Sequence, residues 1–173
     1  MIEEISEQCL TVEDEAEISA LLEVCFPTDY GGRSFFKQRP HLRVIWREAR
    51  IVGHVALFYR AVRLGDALVD VIGVGDVATL PEARGKGIGT QLIDRSAQTG
   101  RNSQAEFLLL FGARGLYDRA GFRPVTNPYR HVQMEGARTQ GIEVRTSQFL
   151  KVRSLHGSAW PEGVEVDFLG PLP

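Results

Sequence analysis

The sequence predicts an α/β or α+β domain built on a mixed sheet flanked by helices. Three observations carry this. Strand-like segments between Leu42 and Leu80 run as a meander broken by short polar turns. From there to Gly121 the order becomes strand, helix, strand, helix. The length of 173 residues, with 43% hydrophobic and 24% charged side chains, matches ordinary globular usage. The expectation is one domain spanning residues 1–173.

Thr11 followed by Val12, Glu13 and Asp14 reads as a helix start, a hydroxyl cap with acids in the first turn. Ile18, Leu21, Leu22, Cys25 and Phe26 then recur at helical spacing, so one apolar stripe faces a core, and Pro27 ends the helix. Cys25 on that stripe reads as a small buried hydrophobe. Residues 27–41 mix Gly and Pro with Tyr30, Phe35, Phe36, Arg33, Lys37 and Arg39, and read either as a loop or as a segment with a short helix, a connection of the kind that carries binding groups. Strands are expected at 42–46 and 51–59 around a turn at 47–50, then a hairpin turning at Gly65-Asp66 into 67–80. Residues 87–100 predict a helix stopped by Gly100, 105–111 a buried strand, and 113–120 a short helix closed by Gly121. Further strands are expected at 130–135, 150–155 and 163–169.

Composition narrows the function. The longest apolar run, Phe107–Phe111, is far short of the ~20 residues of a membrane span. The opening residues are acidic, with no basic and apolar leader, so the expectation is a soluble cytoplasmic protein without a membrane partner. Cys9 and Cys25 alone give neither a disulfide framework nor a zinc site, and no metal is expected. Residues 1–32 hold nine acids and no Lys or Arg, leaving 20 basic and 13 acidic side chains beyond, a net of +7. A basic body suits an anionic ligand. The scattered arginines and an overall net charge of −2 argue against nucleic acid.

The chemical signal lies in Pro81-Glu82-Ala83-Arg84-Gly85-Lys86-Gly87-Ile88-Gly89-Thr90. A strand ends, and a loop with three glycines opens a helix. Glycine lets backbone N–H groups crowd round an anion, and the helix N-terminus adds the positive end of its dipole. Arg84 and Lys86 add charge, so the loop reads as a pyrophosphate cradle. It is not a Walker loop, since Gly87 stands where Ser or Thr would follow the lysine. A dinucleotide fingerprint forced onto Gly73-Val74-Gly75 fails because that segment continues as strand.

These residues resemble the GCN5-related N-acetyltransferase (GNAT) superfamily. Its Arg/Gln-x-x-Gly-x-Gly/Ala signature corresponds to Arg84-Gly85-Lys86-Gly87-Ile88-Gly89, preceded by Pro81-Glu82. Its later Tyr-x3-Gly-Phe pattern corresponds to Tyr117–Phe122, and Arg50–Val55 is similar to its strand before the acceptor cleft. The resemblance covers about residues 5–125. It implies a mostly antiparallel central sheet splayed at a bulge, acetyl-CoA as cosubstrate, and a homodimer as a family-level expectation. The pyrophosphate would rest on the amides of residues 85–90. The pantetheine arm would pair with the strand at Val77, Ala78 and Thr79, where an N–H would also stabilise the reaction's oxyanion. One departure stands at Leu110, where many relatives carry an Asn that contacts CoA.

Acetyl transfer to an amine needs a base for the amine and an acid for the departing thiolate. The resemblance assigns the acid to Tyr117. It assigns the base, or the group that positions a water for it, to Asp76, an acid on an otherwise apolar strand. His54 and Asp70 are lesser candidates; His54 reads as a satisfied core histidine and Asp70 as a solvent-facing group. The implied reaction is N-acetylation of a small-molecule primary amine. Trp160-Pro161-Glu162-Gly163, Asp167 and Gly170-Pro171 resemble the end of the NodA acyltransferases, and the central strands are similar to aminoglycoside 2′-N-acetyltransferases. Both point to an amino sugar, with Glu162, Glu165, Asp167, Phe168 and Trp160 available to a cationic acceptor if the tail covers the cleft. The alternatives are a longer-chain acyltransferase fed by acyl-CoA or acyl carrier protein, and a non-catalytic acyl-CoA-binding regulator.

Overall fold

The computed structural model describes residues 1–173. Its elements in chain order are β1 (Ile2–Ser6), α1 (Val12–Cys25), β2 (Leu42–Arg47), β3 (Ile51–Leu64), β4 (Ala67–Thr79), α2 (Ile88–Arg101), β5 (Phe107–Phe111), α3 (Gly115–Arg119), β6 (Arg123–Pro124), β7 (Tyr129–Glu135), β8 (Arg138–Arg145), β9 (Leu150–Ser154) and β10 (Val166–Asp167). They form one sheet in the order β6-β9-β5-β4-β3-β10-β7-β8, with β2 pairing β3 and β1 pairing β2. Pairings are antiparallel except β4 with β5 and β10 with β7. The mixed, mostly antiparallel sheet is therefore as the sequence predicts.

Two local features of that sheet matter most. β4 and β5 pair only through Val71–Phe107, Ile72–Leu108 and Gly73–Leu109. Beyond Gly73 the strands part, and the last six residues of β4 keep a free edge on that side. On its other side β4 follows β3, but the register slips between His54 and Ala56, leaving Asp76 and Val77 as a bulge. Asp76 sits there at φ +47°, a left-handed conformation that Asp tolerates better than most residues.

α1 begins as expected, with Thr11 Oγ1 accepting the Asp14 N–H at 3.1 Å, and buries Ile18, Leu21 and Leu22. α2 buries Ile88, Leu92, Ile93 and Ala97. It lies directly on β3, where a Cβ on Gly53 would come within 2.8 Å of Ile88 and 2.9 Å of Leu92. That close approach fixes where the loop before α2 points. A second core, with Phe107, Leu109, Val152, Trp160 and Phe168, joins β5, β9 and the tail.

Several expectations need correction. Gly100 does not stop α2, which runs on to Arg101. Gly100 is instead a packing position, since a Cβ there would meet Leu155 at 3.0 Å. The strand expected over 163–169 is only Val166–Asp167, whereas β1, the two-residue β6 and β8 are strands that the sequence does not announce. Residues 27–41 hold no helix. No helix is long and apolar enough to cross a membrane.

Candidate functional site

The loop between β4 and α2 builds one side of the site. Gly85 and Gly87 adopt φ +78° and +76°, which a side chain would strain, and no side chain caps the first turn of α2. No acid sits in that turn either, so its first N–H groups are available to an anion. A cavity of about 340 Å³ opens here, walled by Thr79, Ala83, Arg84, Gly85, Gly87, Ile88, Gly89, Thr90, Arg114, Leu116 and Arg119. A Cβ on Gly85 would meet nothing within 4 Å, and one on Gly89 would touch Thr79 Oγ1 only at 3.7 Å. The space above the glycines is open, not filled by protein.

Seven of the residues expected to bind the cofactor wall this cavity: Thr79, Arg84, Gly85, Gly87, Ile88, Gly89 and Thr90. Lys86 is exposed and does not line it, and Val77 and Ala78 lie further back along β4. The fold adds Arg114 and Arg119 from the segment around α3, which the sequence did not single out. Nothing near the 84–90 motif marks them; only the packing of α3 beside α2, with Leu116 at the limit of van der Waals reach of Gly89, brings them there. Arg84 is tied back by its Nε to the Thr79 carbonyl at 3.1 Å, which holds the loop to the end of β4.

Tyr117 is buried on α3, its ring lying on Gly112 so closely that a Cβ there would come within 2.5 Å of Cε2. Its hydroxyl has no hydrogen-bond partner in the protein but is not sealed from solvent. Burial pushes the phenol above its ordinary range, against a smaller opposing effect of Arg114, so it keeps its proton at neutral pH.

Asp76 faces a different, smaller cavity of about 80 Å³ together with Thr28, Tyr30, Phe36, Lys37, Gln38, Phe58, Leu172 and Pro173. The Tyr30 hydroxyl donates to Asp76 Oδ1 at 2.9 Å. Burial raises the Asp76 carboxyl above the usual carboxylate range; the Tyr30 bond and the charges of Arg43 and Lys37 oppose this without cancelling it. The bulge itself is braced from behind. His54 is fully buried, its Nδ1 donating to the Asp76 carbonyl at 2.9 Å while Arg43 Nη1 donates to its Nε2 at 3.1 Å. Arg43, also fully buried, grips Glu7 in a two-point contact at 2.7 and 3.0 Å and donates to the Ser34 carbonyl. His54 is therefore a satisfied interior residue. Asp70 lies elsewhere, accepting from the Tyr59 hydroxyl at 3.1 Å.

The tail covers the cleft differently from the expectation. Trp160 is buried against Phe107 and donates to Asn127, Phe168 is in the second core, and Glu162 and Glu165 face Arg123 and Arg130. Asp167 accepts from the Leu169 N–H. None of these five lines the cavity at Asp76; Leu172 and Pro173 do.

The site is thus a glycine-lined cavity at a helix start, beside a strand that parts from β5 beyond Gly73 and bulges against β3 at Asp76. The chain belongs to the GNAT acetyltransferase family: the model of the acetyltransferase (GNAT) domain matches residues 8–125. Among solved structures it is similar to a GNAT family N-acetyltransferase from Escherichia coli in complex with CoA (18% identity, 96% of this chain and 88% of that one, TM-score 0.63). It is also similar to a GNAT family acetyltransferase from Brucella melitensis in complex with acetyl-CoA (22%, 96% and 94%, 0.62) and to an IAA acetyltransferase from Bacillus cereus (15%, 89% and 98%, 0.55). No curated protein matches significantly in sequence.

Proposed function

We propose that this protein transfers an acetyl group from acetyl-CoA to the primary amine of a small molecule by direct attack. The observation that supports it best is the parting of β4 and β5 beyond Gly73, with the arginine-lined cavity at one end of the free edge and Asp76 at the bulge within that same stretch of β4. Arg84, Arg114 and Arg119 have no carboxylate partner, as suits a cavity that receives the anionic end of a ligand. The free edge over Val77–Thr79, where the Thr79 carbonyl is already taken by Arg84, offers its remaining main-chain groups to an amide-rich arm.

Acetyl-CoA supplies the activated acetyl thioester. Asp76 takes the proton from the amine nitrogen, directly or through a water, and its raised carboxyl is a better match to an amine than an ordinary Asp. Tyr117 returns a proton to the sulfur as the C–S bond breaks and the C–N bond forms. His54 and Arg43 act as positioning residues through the bulge, never touching the reacting atoms.

The test is thiol release from acetyl-CoA across a panel of small amines. The reading expects turnover that Tyr117→Phe and Asp76→Asn each reduce by about 10²–10⁴-fold, the usual size of a general acid or base contribution. Turnover unchanged in both variants would remove these residues from the mechanism.

A further inference from the structure

Of the 20 basic side chains only three are lysines, Lys37, Lys86 and Lys151. Lys86 is exposed on the glycine loop, and Lys151 is buried with its Nζ donating to Asp118 Oδ1. Lys37 is placed differently. It comes from the connection before β2 and lines the small cavity at Asp76 together with Tyr30, Phe36 and Phe58. Its side chain therefore carries a primary amine into the cavity where the acetyl-transfer reading puts the acceptor's nitrogen.

Little holds that amine in place. Lys37 Nζ makes a single hydrogen bond, a long one of 3.4 Å, to the Leu172 carbonyl. Asp76, the proposed base, acts on it through charge but forms no hydrogen bond or close ion pair with it. Burial favours the neutral, nucleophilic amine and moves Lys37 below the ordinary lysine range, with the charge of Asp76 pulling the other way. The tail closes over the same place: Leu172 and Pro173 line the cavity, and a Cβ on Gly73 would meet the Pro173 ring at 2.5 Å. At about 80 Å³ the cavity leaves an incoming acceptor little room, whereas Lys37 is already inside.

We propose that Lys37 is a self-modification site: with acetyl-CoA bound and no acceptor present, the protein acetylates the Nζ of its own Lys37. The inference rests on the acetyl-transfer reading and adds a covalent product within that same site. Nζ attacks the thioester carbonyl, and the C–N bond forms as the C–S bond breaks. The amine proton passes to Asp76, directly or through a water, and Tyr117 protonates the sulfur, giving N-acetyllysine and free CoA. The product is an amide, inert toward a second amine, and it stands where an acceptor's nitrogen is expected, so self-acetylation closes the site.

The experiment incubates the full chain with acetyl-CoA and no added amine, and follows the intact mass and the acetylated peptides by mass spectrometry. The expected result is one acetyl group on Lys37, formed at a rate independent of protein concentration and at least about tenfold faster than at the exposed Lys86. Excess desulfo-CoA should suppress it and Lys37→Arg should remove it. Asp76→Asn, which tolerates the same backbone, should slow it by about tenfold or more. Acetyl groups spread alike over Lys86 and Lys37, or a Lys37 signal that survives desulfo-CoA or Asp76→Asn, would mark uncatalysed acetylation and overturn the proposal. If acetyl-CoA binds but Lys37 stays unmodified, the inference falls and the donor reading stands. If acetyl-CoA does not bind, both fall.

Discussion

His54 holds the main chain of Asp76: its Nδ1 donates to the Asp76 carbonyl at 2.9 Å, while its other ring nitrogen accepts from Arg43, which grips Glu7. A carbonyl can only accept and a guanidinium can only donate, so the two contacts together fix the neutral tautomer with the proton on Nδ1. Asp76 needs this brace because a non-glycine residue at positive φ costs about 1–2 kcal/mol unless its surroundings impose it. The buried network thus links a structural histidine to the placement of the proposed base.

The same network predicts acid lability. Burial, with the charge of Arg43 adding to it, pushes His54 down to about 3. Below its ordinary value of 6.5 the unfolded chain takes up a proton that the folded chain refuses, so stability falls as pH drops from about 6.5 toward 3, by up to about 1.4 kcal/mol per pH unit. Glu7 acts in the same direction lower down. Burial alone would raise it, but the bonds from Arg43 and Arg39 outweigh that and hold it low, so its contribution is present above 4.5 and lost as pH falls through the folded value. Urea unfolding between pH 7.5 and 4.5 checks this: the parent should lose stability steadily below 6.5, and His54→Asn should show a flatter profile. A parent profile level down to pH 5 would contradict it.

Tyr30 tunes the proposed base. Its hydroxyl bond lowers the Asp76 carboxyl against the larger effect of burial. Tyr30→Phe should therefore raise the Asp76 ionisation and move the acid limb of kcat/KM to higher pH. Asp76→Asn, which tolerates the same backbone, should abolish that limb along with most of the rate. A limb in the same place in all three proteins would assign it to the substrate.

Gly112 is where Tyr117 rests. An alanine methyl would overlap the ring at 2.5 Å, so Gly112→Ala must displace the phenol or the end of β5. Turnover should fall by tenfold or more while acetyl-CoA affinity changes little, because Gly112 is not on the wall of the anion cavity. Equal losses in rate and affinity would mean that the change disturbs the whole cleft.

Arg114, just before α3, and Arg119, at its end, line the cavity at the start of α2 without a carboxylate partner. The double change to Gln should weaken acetyl-CoA binding by about tenfold or more and reduce its salt dependence, with little effect on melting temperature since both side chains are exposed. An unchanged affinity would place the phosphates elsewhere.

The sequence shows the site unevenly, for physical reasons. The cradle is legible because three glycines, a helix start and Arg84 lie within a few residues of one another, and the local chemistry needs nothing else. The bulge at Asp76 is visible only through resemblance, since a register slip against β3 leaves no mark in composition. Arg60 and its carbonyl partner at Pro171 are 111 residues apart, so no local pattern could pair them. β8 is not legible in the sequence because it is an exposed edge strand whose Ile142 and Val144 stay in water, which blurs the alternation that reveals half-buried strands. A glycine late in a helix signals a stop, and only the approach of Leu155 shows that Gly100 is a packing position instead.

The central claim, that the cavity at the start of α2 receives acetyl-CoA, is tested most directly by calorimetric titration of acetyl-CoA into the parent and Gly89→Ala. Gly89 is a helical position where a methyl group meets only ordinary contacts in the protein, so alanine should fold as well or better, by up to about 1 kcal/mol. The account predicts a micromolar Kd for the parent, about −8 kcal/mol, and at least tenfold weaker binding for the variant at equal or higher melting temperature. No binding by the parent at millimolar acetyl-CoA, or equal binding by both proteins, would contradict it.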